Sequence, residues 1–219
     1  MGKPVISASH LNKTLKRRLS ALKWTSETVV SDFSADFEAG IIYGIVGLSG
    51  SGKTTLANIL AGYTEPDTGR VMYSGVDIYG NGRKKIRKKF DTIRNIFQDT
   101  YRALNPLNTV SWYIERAKSG NKDGFDPEFV MERLGMSMDE YGKISVNRLS
   151  GGERQRLAFA IVAIQRPLGI IMDEPFSMID SVNAMSILSF IREYMHKSSV
   201  IYIDHNVDRV MYLSDFVIF

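Results

Sequence analysis

The segment that most constrains the fold is a glycine-rich loop between two apolar stretches, "GLSGSGKTT" at positions 47–55. The residues before it, "IIYGIVG", form a short continuous apolar run, which is typical of a strand buried on both faces. After it, "KTTLANILAGY" places Leu56, Ile59 and Leu60 at helical spacing. A strand, a glycine loop and a helix in this order form the context in which a backbone loop binds phosphate.

This loop matches the pattern G-x-x-x-x-G-K-[ST]. Its glycines let several backbone N–H groups turn toward one anion, and the positive end of the following helix adds to the attraction. We expect the lysine to reach the β- and γ-phosphates of a nucleoside triphosphate, and the first threonine to bind Mg²⁺. A flexible linker is the alternative, which the flanking strand and helix disfavour. The predicted phosphate-binding residues are Gly47, Ser49, Gly50, Ser51, Gly52, Lys53, Thr54 and Thr55.

Composition narrows the class of protein further. The chain has 219 residues, which suits one domain or a domain with an inserted subdomain. It has no cysteine, which excludes disulfides and thiolate metal sites. A net charge of +4 is too small to indicate nucleic-acid binding by itself. No apolar run is long enough for a transmembrane helix, so we expect any membrane role to need a partner.

Apolar strands alternate with helices along the rest of the chain, which predicts a mostly parallel α/β sheet. The buried strands are predicted at "IIYGIVG", "LGIIMDEP" and "SVIYIDH", and positions 98–150 resemble a helical insertion. The basic stretch "RKKIRKKFDTIRNIFQD" is interpreted as a solvated helix face, in preference to a nucleic-acid or lipid patch. The final "DFVIF" has the pattern of a strand, and we expect a further piece to follow it.

A second glycine motif, "LSGGERQR" at positions 149–156, offers another helix N-terminus with backbone donors. One chain seldom needs two phosphate sites of this kind, so we interpret the second as serving ATP held by a partner chain. Here the sequence resembles the ABC ATPase family, whose signature is LSGGQ. Position 153 carries Glu in place of the commoner Gln. The residues implied to cover the partner's ATP are Ser150, Gly151, Gly152 and Glu153.

The remaining motifs of that family follow in the expected order. The resemblance implies that Asp173 holds Mg²⁺ and that Glu174 is the general base for hydrolysis. Gln98 matches the glutamine that contacts Mg²⁺ and the attacking water, and His205 matches the histidine that senses the γ-phosphate. In "SMID" the family more often has SALD, but Asp180 is retained, and so is the implied communication across a dimer. Taken singly, each could be an ordinary surface or structural residue.

The resemblance also implies a fold and a base-binding residue. The fold is α/β of the ABC ATPase type: a RecA-like P-loop NTPase core with an antiparallel β subdomain and an inserted α-helical subdomain. We expect a single ABC ATPase domain over 1–219, with the nucleotide-binding core and β subdomain at 1–100 and 156–219. The helical subdomain would span 101–155 and carry the signature. Trp24 aligns with the aromatic residue that stacks on adenine, and a core tryptophan is the alternative.

The implied function is an ATP-binding and ATP-hydrolysing subunit of an ABC transporter, on the cytoplasmic face of the cell membrane. "DTYRALNP" resembles a stretch of the oligopeptide, dipeptide and nickel importer ATPases, with Thr100 in place of the usual Pro. The cargo expected is therefore a peptide, nickel or a metal chelate. The implied partners are a second ABC ATPase subunit, which the resemblance favours as a different chain, transmembrane permeases and an extracytoplasmic binding protein.

Two other functions stay open. Some ABC ATPases act on DNA or ribosomes and move no solute. The long coiled coils of the DNA-repair members have no counterpart between Gln98 and Ser150, and this chain has one ATPase half where the ribosome-acting members have two. We therefore expect no nucleic-acid partner. An ATPase-dead regulatory subunit is also possible, but Glu174 and His205 are both present and disfavour it.

Overall fold

The computed structural model contains two sheets and the helices that pack on them. It describes residues 3–18, 24–80, 92–97, 104–120, 124–176 and 179–219. The strands are β1 (Ile6–Arg18), β2 (Trp24–Phe37), β3 (Ile42–Val46), β4 (Thr68–Tyr73), β5 (Val76–Asp77), β6 (Ile93–Phe97), β7 (Gly169–Asp173), β8 (Ser199–Asp204) and β9 (Phe216–Ile218). The helices are α1 (Lys53–Leu60), α2 (Val110–Ser119), α3 (Pro127–Arg133), α4 (Met138–Tyr141), α5 (Gly151–Gln165), α6 (Ser181–Tyr194) and α7 (Val207–Leu213).

The larger sheet is parallel and has the strand order β6-β7-β8-β3-β9. Every residue of β3, β7 and β8 is buried, as the continuous apolar runs predict. Polar side chains can therefore enter this sheet only at the strand ends. At the carboxyl edge the registers pair Val46 with Asp204 and Asp173 with Ile203. The loop after β3 and the acids of β7 and β8 consequently meet on one edge.

The smaller sheet is antiparallel, in the order β2-β1-β4-β5, and it packs against α1 and β3. Two tyrosines tie it to the helix that follows the glycine loop. The Tyr73 hydroxyl donates to the Leu60 carbonyl at 2.6 Å, and the Tyr79 hydroxyl lies 2.7 Å from the Ile59 carbonyl. Burial keeps the pKa of Tyr73 well above its usual range, so this side chain remains a hydroxyl donor. The sheet thus fixes the C-terminal turn of α1.

Helix α5 is buried around most of its circumference, with both apolar and polar side chains inside. Polar side chains are buried together with the apolar ones because α5 lies between helices and the sheet. It packs against α2 and α3 on one side and against β6 and α6 on the other. It therefore connects the helical part of the chain to the parallel sheet.

Two segments differ from the sequence-based expectation. Ile93–Phe97 is strand β6 rather than part of a solvated helix face, because it pairs in parallel with β7 along its whole length. Residues 81–91 and 98–103, which hold the basic run and Gln98, lie outside the described residues. Ile6–Arg18 forms the long strand β1, which pairs with both β2 and β4. Its register shifts interrupt the alternation that would have predicted a strand.

Close packing between β3 and α7 gives a prediction about stability. A Cβ on Gly44 would lie 2.2 Å from Val210 Cγ1 and 2.4 Å from Ser214 Oγ, so Gly44→Ala forces α7 away from the sheet. We expect the free energy of unfolding to fall by about 1–3 kcal/mol, the usual cost of overpacking. Urea unfolding measures it. Gly120→Ala is the matched control, since its Cβ meets only ordinary contacts of 3.4 Å or longer. Equal stability of the two variants would contradict the packing argument.

Candidate functional site

The glycine loop lies between the buried strand β3 and helix α1. Gly52 has φ +92, and a Cβ there would lie 2.0 Å from the Val29 carbonyl oxygen of β2, so only glycine fits. Lys53 begins α1 and is 8% exposed. Its ammonium donates to the carbonyls of Gly47 and Leu48, each at 2.7 Å. The lysine is therefore held under the loop, where it can exchange these acceptors for phosphate oxygens.

A cavity of about 720 Å³ opens beside this loop. Its volume suits a ligand of nucleotide size. Its lining includes six of the predicted phosphate-binding residues and Glu174, together with four residues of the β1–β2 ribbon that the sequence did not single out. The lining residues are Leu15, Lys16, Glu27, Val29, Ser49, Gly50, Gly52, Lys53, Thr54, Thr55 and Glu174. Gly47 and Ser51 line a smaller neighbouring crevice of about 330 Å³.

Asp173 lies at the end of β7, facing the exposed Thr54. Burial raises the pKa of this carboxyl, and a hydrogen bond from the Thr54 side chain opposes that rise. Asp173 Oδ1 is buried and has no hydrogen-bond partner among the described residues. A buried carboxylate oxygen without a donor, beside a threonine hydroxyl, is the ligand chemistry that Mg²⁺ takes when phosphates supply its other ligands. The residues present therefore fit a Mg²⁺ ion.

Glu174 follows directly and turns the chain out of the strand. Its φ of +46 is left-handed, a conformation that is uncommon for non-glycine residues and is enriched at active sites. Its N–H donates to the Ile203 carbonyl at 2.8 Å, which holds the turn against β8. The side chain is 25% exposed and lines the cavity. His205 Nδ1 lies 3.4 Å from Glu174 Oε1, so these two predicted catalytic residues are neighbours.

Asp204 supports this histidine, and the sequence analysis assigned it no role. It is buried at the end of β8, with its Oδ1 3.3 Å from His205 Nδ1. The Tyr202 hydroxyl donates to Asp204 Oδ2 at 2.5 Å, and the Asn206 N–H donates to Oδ1 at 3.0 Å. Burial, with the adjoining carboxylate, raises the pKa of Tyr202 far above its usual range. A buried acid directly before the histidine was the available signal for this role.

The signature segment begins α5 and lies apart from the cavity: none of its residues is in the cavity lining. Ser150 is the N-cap and forms a capping box with Glu153, whose Oε2 accepts from the Ser150 N–H at 2.8 Å. The Ser150 hydroxyl also donates to Oε2 at 2.8 Å, and the Tyr141 hydroxyl donates to Oε1 at 2.9 Å. These bonds hold the pKa of Glu153 below its usual range. Glu153 is therefore a structural anion at this helix start.

Two further predicted residues lie away from the cavity lining. Asp180 is exposed, just before α6. Trp24 is 61% exposed at the start of β2. Alternation over the regular part of β2 sets Trp24 on the face opposite to Glu27, which lines the cavity. Gln98 lies outside the described residues.

Comparison with known proteins decides the family. The model of the family described as ABC transporter matches residues 30–177. The chain belongs to the ABC transporter family. It is an ATP-binding and ATP-hydrolysing subunit of an ABC transporter, which confirms the predicted enzyme class and function.

Relatives and solved structures agree with this assignment. A Brucella ovis protein named as a peptide import ATP-binding protein is 28% identical over 222 residues, covering 98% of this chain and 68% of its own length. The methionine import ATP-binding protein of Helicobacter hepaticus is 31% identical over 212 residues, covering 94% of this chain and 57% of its own. A structure described as a dimeric bacterial ABC transporter cassette matches with a TM-score of 0.79 at 21% identity, over 97% of this chain and 93% of that one. The predicted fold class is confirmed.

One further finding concerns the membrane. Among the described residues of this ABC transporter ATPase, no helix has both the length and the apolar character needed to cross a bilayer.

The capping box yields a prediction for this ATPase. Glu153→Ala removes the acceptor of the Ser150 N–H and the Tyr141 hydroxyl, so we expect a loss of about 1 kcal/mol in the free energy of unfolding at pH 7. Because the folded pKa of Glu153 is lowered, its contribution is present above its ordinary pKa and is lost as pH falls through the lowered value. The gap between wild type and Glu153→Gln should therefore close in acid.

Thermal unfolding of wild type, Glu153→Ala and Glu153→Gln measures these stability differences. A range of about pH 3 to 8 includes the ordinary pKa of Glu, which is about 4.3. Glu140→Ala is the control, since its side chain belongs to the neighbouring short helix and takes no part in the capping box. A gap between wild type and Glu153→Gln that is independent of pH would contradict an ionised, stabilising Glu153.

Proposed function

We propose that this ATPase drives an importer and works as a head-to-tail pair, in which each chain completes the other's nucleotide site. The observation that carries the proposal is the separation within one chain. Lys53 and Glu174 line the cavity, whereas Ser150 is exposed at the start of α5 and is absent from that lining. A second chain bringing its own Ser150 to this cavity would supply the missing donors. The dimeric form of the matched cassette structure supports such an arrangement.

The residues would share the work as follows. Backbone N–H groups of the loop and the Lys53 ammonium would hold the phosphates, as the loop geometry and the buried lysine support. Thr54 and Asp173 would hold Mg²⁺, with Gln98 as a further ligand. The ion, when bound, would neutralise charge on the phosphate oxygens. Ser150, Gly151, Gly152 and Asp180 would act on the nucleotide of the partner chain, with Glu153 holding Ser150 in place.

Glu174 is the proposed general base. Its carboxylate lines the cavity, is partly exposed, and could accept a proton from a water molecule at the phosphate. His205 lies beside it, and its Nδ1 is 3.4 Å from Glu174 Oε1 and 3.3 Å from Asp204 Oδ1, so these two carboxylates could orient the ring toward the phosphates. The left-handed turn at Glu174 keeps the carboxylate at the strand end, where the sheet is rigid.

A groove of about 740 Å³ on the helical part of the chain is the proposed docking site for a permease. Leu104, Pro106 and Trp112 line it, with Trp112 44% exposed and Arg116 stacked on its ring at 5.4 Å. We propose that a permease segment docks here, which would place the chain on the cytoplasmic face of the membrane. We propose a second ATPase chain, the permeases and an extracytoplasmic binding protein as partners. The cargo proposed is a peptide, nickel or a metal chelate, and the named peptide importer relative favours the peptide.

Within the fold, we propose that residues 101–155 form the helical subdomain and that 1–100 with 156–219 form the nucleotide-binding core and β subdomain. The packing of α2 and α3 on α5 supports this division. Helix α5 crosses position 155 without a break, so the two parts would be rigidly joined through it.

Glu174→Gln tests the base. The amide cannot accept a proton, so we expect ATP turnover to fall by about 10²–10⁴-fold while an ATP-bound dimer accumulates. Turnover assays and light scattering of the purified ATPase pair measure the two effects. Lys53→Ala is the contrasting variant, expected to lose both nucleotide affinity and the dimer. Unchanged turnover in Glu174→Gln would mean that another residue is the base.

Trp112→Ala tests the docking groove. Truncating a buried aromatic anchor of an interface costs about 2 kcal/mol or more, so we expect weaker binding to the permeases and less transport-coupled ATP hydrolysis. Reconstitution with the permeases and a peptide-loaded binding protein measures the stimulation. Met211→Ala, at an exposed position of α7 outside the groove, is the control. Salt-sensitive binding of the purified chain to DNA or ribosomes, without stimulation by permeases, would contradict the importer.

A further inference from the structure

The side chain of Asn183, in the first turn of α6, links this helix to the signature helix. Its Nδ2 donates to Asp180 Oδ2 at 2.6 Å, and its backbone N–H donates to Asp180 Oδ1 at 3.0 Å. Its Oδ1 accepts a hydrogen bond from a terminal nitrogen of Arg156. Arg156 belongs to α5, the helix that begins with Ser150. One amide thus connects the start of α6 with the second turn of α5.

Asp180 is the N-cap of α6, and its carbonyl also accepts from the Ala184 N–H at 2.9 Å. A cap needs only one carboxylate oxygen, which here accepts from the Asn183 backbone. The bond from the Asn183 amide to the second oxygen is additional, and so is the bond from Arg156 to that amide. The capping of α6 alone therefore does not account for this network.

The network fixes the orientation of the Asp180 carboxylate as well as the start of α6. Both oxygens of Asp180 are bonded to Asn183, so the orientation of the carboxylate depends on the position of that amide. The position of the amide is set in turn by Arg156. Asp180 itself is exposed at the start of α6. Ser150 is exposed as well, and both residues are thus available to a second chain.

Asp180 also lies a short way along the chain from Glu174. The segment between them includes Phe176, which is buried against Tyr202 of β8 with ring centroids 5.6 Å apart. We expect a shift of the α6 start to be transmitted along this short segment to the turn that carries Glu174. Through Asn183, the signature segment is connected to the residues that follow Glu174 in the same chain.

We propose that Asn183 is a positioning residue that makes Ser150 and Asp180 move as one unit. The inference rests on the proposed head-to-tail pair, in which both residues act at the nucleotide of the other chain. Nucleotide contacts at Ser150 then reach Asp180 and the Glu174 turn through Arg156 and Asn183. Occupancy of one site consequently aligns the base of the other, and ATP hydrolysis by the pair is cooperative.

The test compares three variants in the assembled pair of ATPase chains, made from this chain alone or with its partner ATPase. Asn183→Ala removes both side-chain bonds. Asn183→Asp keeps an acceptor for Arg156 but loses the donor to Asp180. Met185→Ala, at an exposed position of the same helix, is the matched control. The readouts are the Hill coefficient of ATP hydrolysis, the ATP concentration for half-maximal dimer formation, and binding of a fluorescent ATP analogue to dilute monomer.

We expect Asn183→Ala and Asn183→Asp to lower the Hill coefficient toward 1. The ATP concentration for dimer formation should rise about tenfold, as for loss of a hydrogen bond to a charged group. Binding of the fluorescent ATP analogue to the monomer should change less than about twofold, since neither Asn183 nor Asp180 lines the cavity of its own chain. Met185→Ala should match wild type in all three.

The outcomes separate this inference from the proposed pair. If the wild type hydrolyses ATP cooperatively as a dimer and Asn183→Asp does the same, Asn183 is only structural and the inference is wrong. If both Asn183 variants lose thermal stability and weaken analogue binding in parallel, with cooperativity retained, the same conclusion holds. A wild type that forms no ATP-dependent dimer would overturn the head-to-tail pair and the inference with it.

Discussion

The constraint on which the site depends is the complete burial of β3, β7 and β8 in the parallel sheet. Strands covered on both faces cannot present polar side chains along their length, so such groups collect where the strands end. The register aligns those ends: Val46 pairs with Asp204, and Asp173 pairs with Ile203. The glycine loop, both acids and His205 therefore reach one edge of the sheet. Packing of apolar side chains thereby fixes polar geometry.

Two buried carboxylates at that edge differ in how fully their oxygens are hydrogen-bonded. Asp204 is bonded by Tyr202 and by the Asn206 N–H, and it serves as a fixed support for His205. Asp173 has the Thr54 side chain as a donor, while its Oδ1 lacks a partner in the described part of the chain. An unmet buried oxygen is costly unless a ligand completes it. The polar arrangement therefore leaves Asp204 fully bonded and Asp173 with an oxygen that the proposed Mg²⁺ ion would satisfy.

The sequence predicts those parts of the fold that local pattern dictates. Continuous apolar runs identify β3, β7 and β8, and the loop of glycines before Lys53 identifies the phosphate site, because each signal lies within a few adjacent residues. Strand β1 was not predicted because register shifts break its alternation of apolar and polar residues. Strand β6 was not predicted because its burial depends on pairing with β7. The cavity-lining residues Leu15 and Glu27 were not predicted because the pairing of β1 with β2 carries them to the cavity, and no local pattern identifies them.

The glutamate at position 153 illustrates how a departure from a motif can be absorbed. Its carboxylate accepts the Ser150 N–H and hydroxyl, so the serine is held by its own helix. The N–H of Glu153 is used by the serine oxygen, and that of Arg154 by the Ser150 carbonyl. The first N–H groups of a helix have no acceptor within it, so those of Gly151 and Gly152 remain directed outward at its positive end. The N-terminal end of α5 thus donates mainly through backbone N–H groups, and this arrangement tolerates Glu in place of Gln.

An anion brought to this helix end by a second chain would meet donors already in place, while the chain's own cavity holds the phosphate loop and the proposed base. Each chain accordingly has two unlike polar surfaces, and the proposed head-to-tail pair would bring one of each kind together.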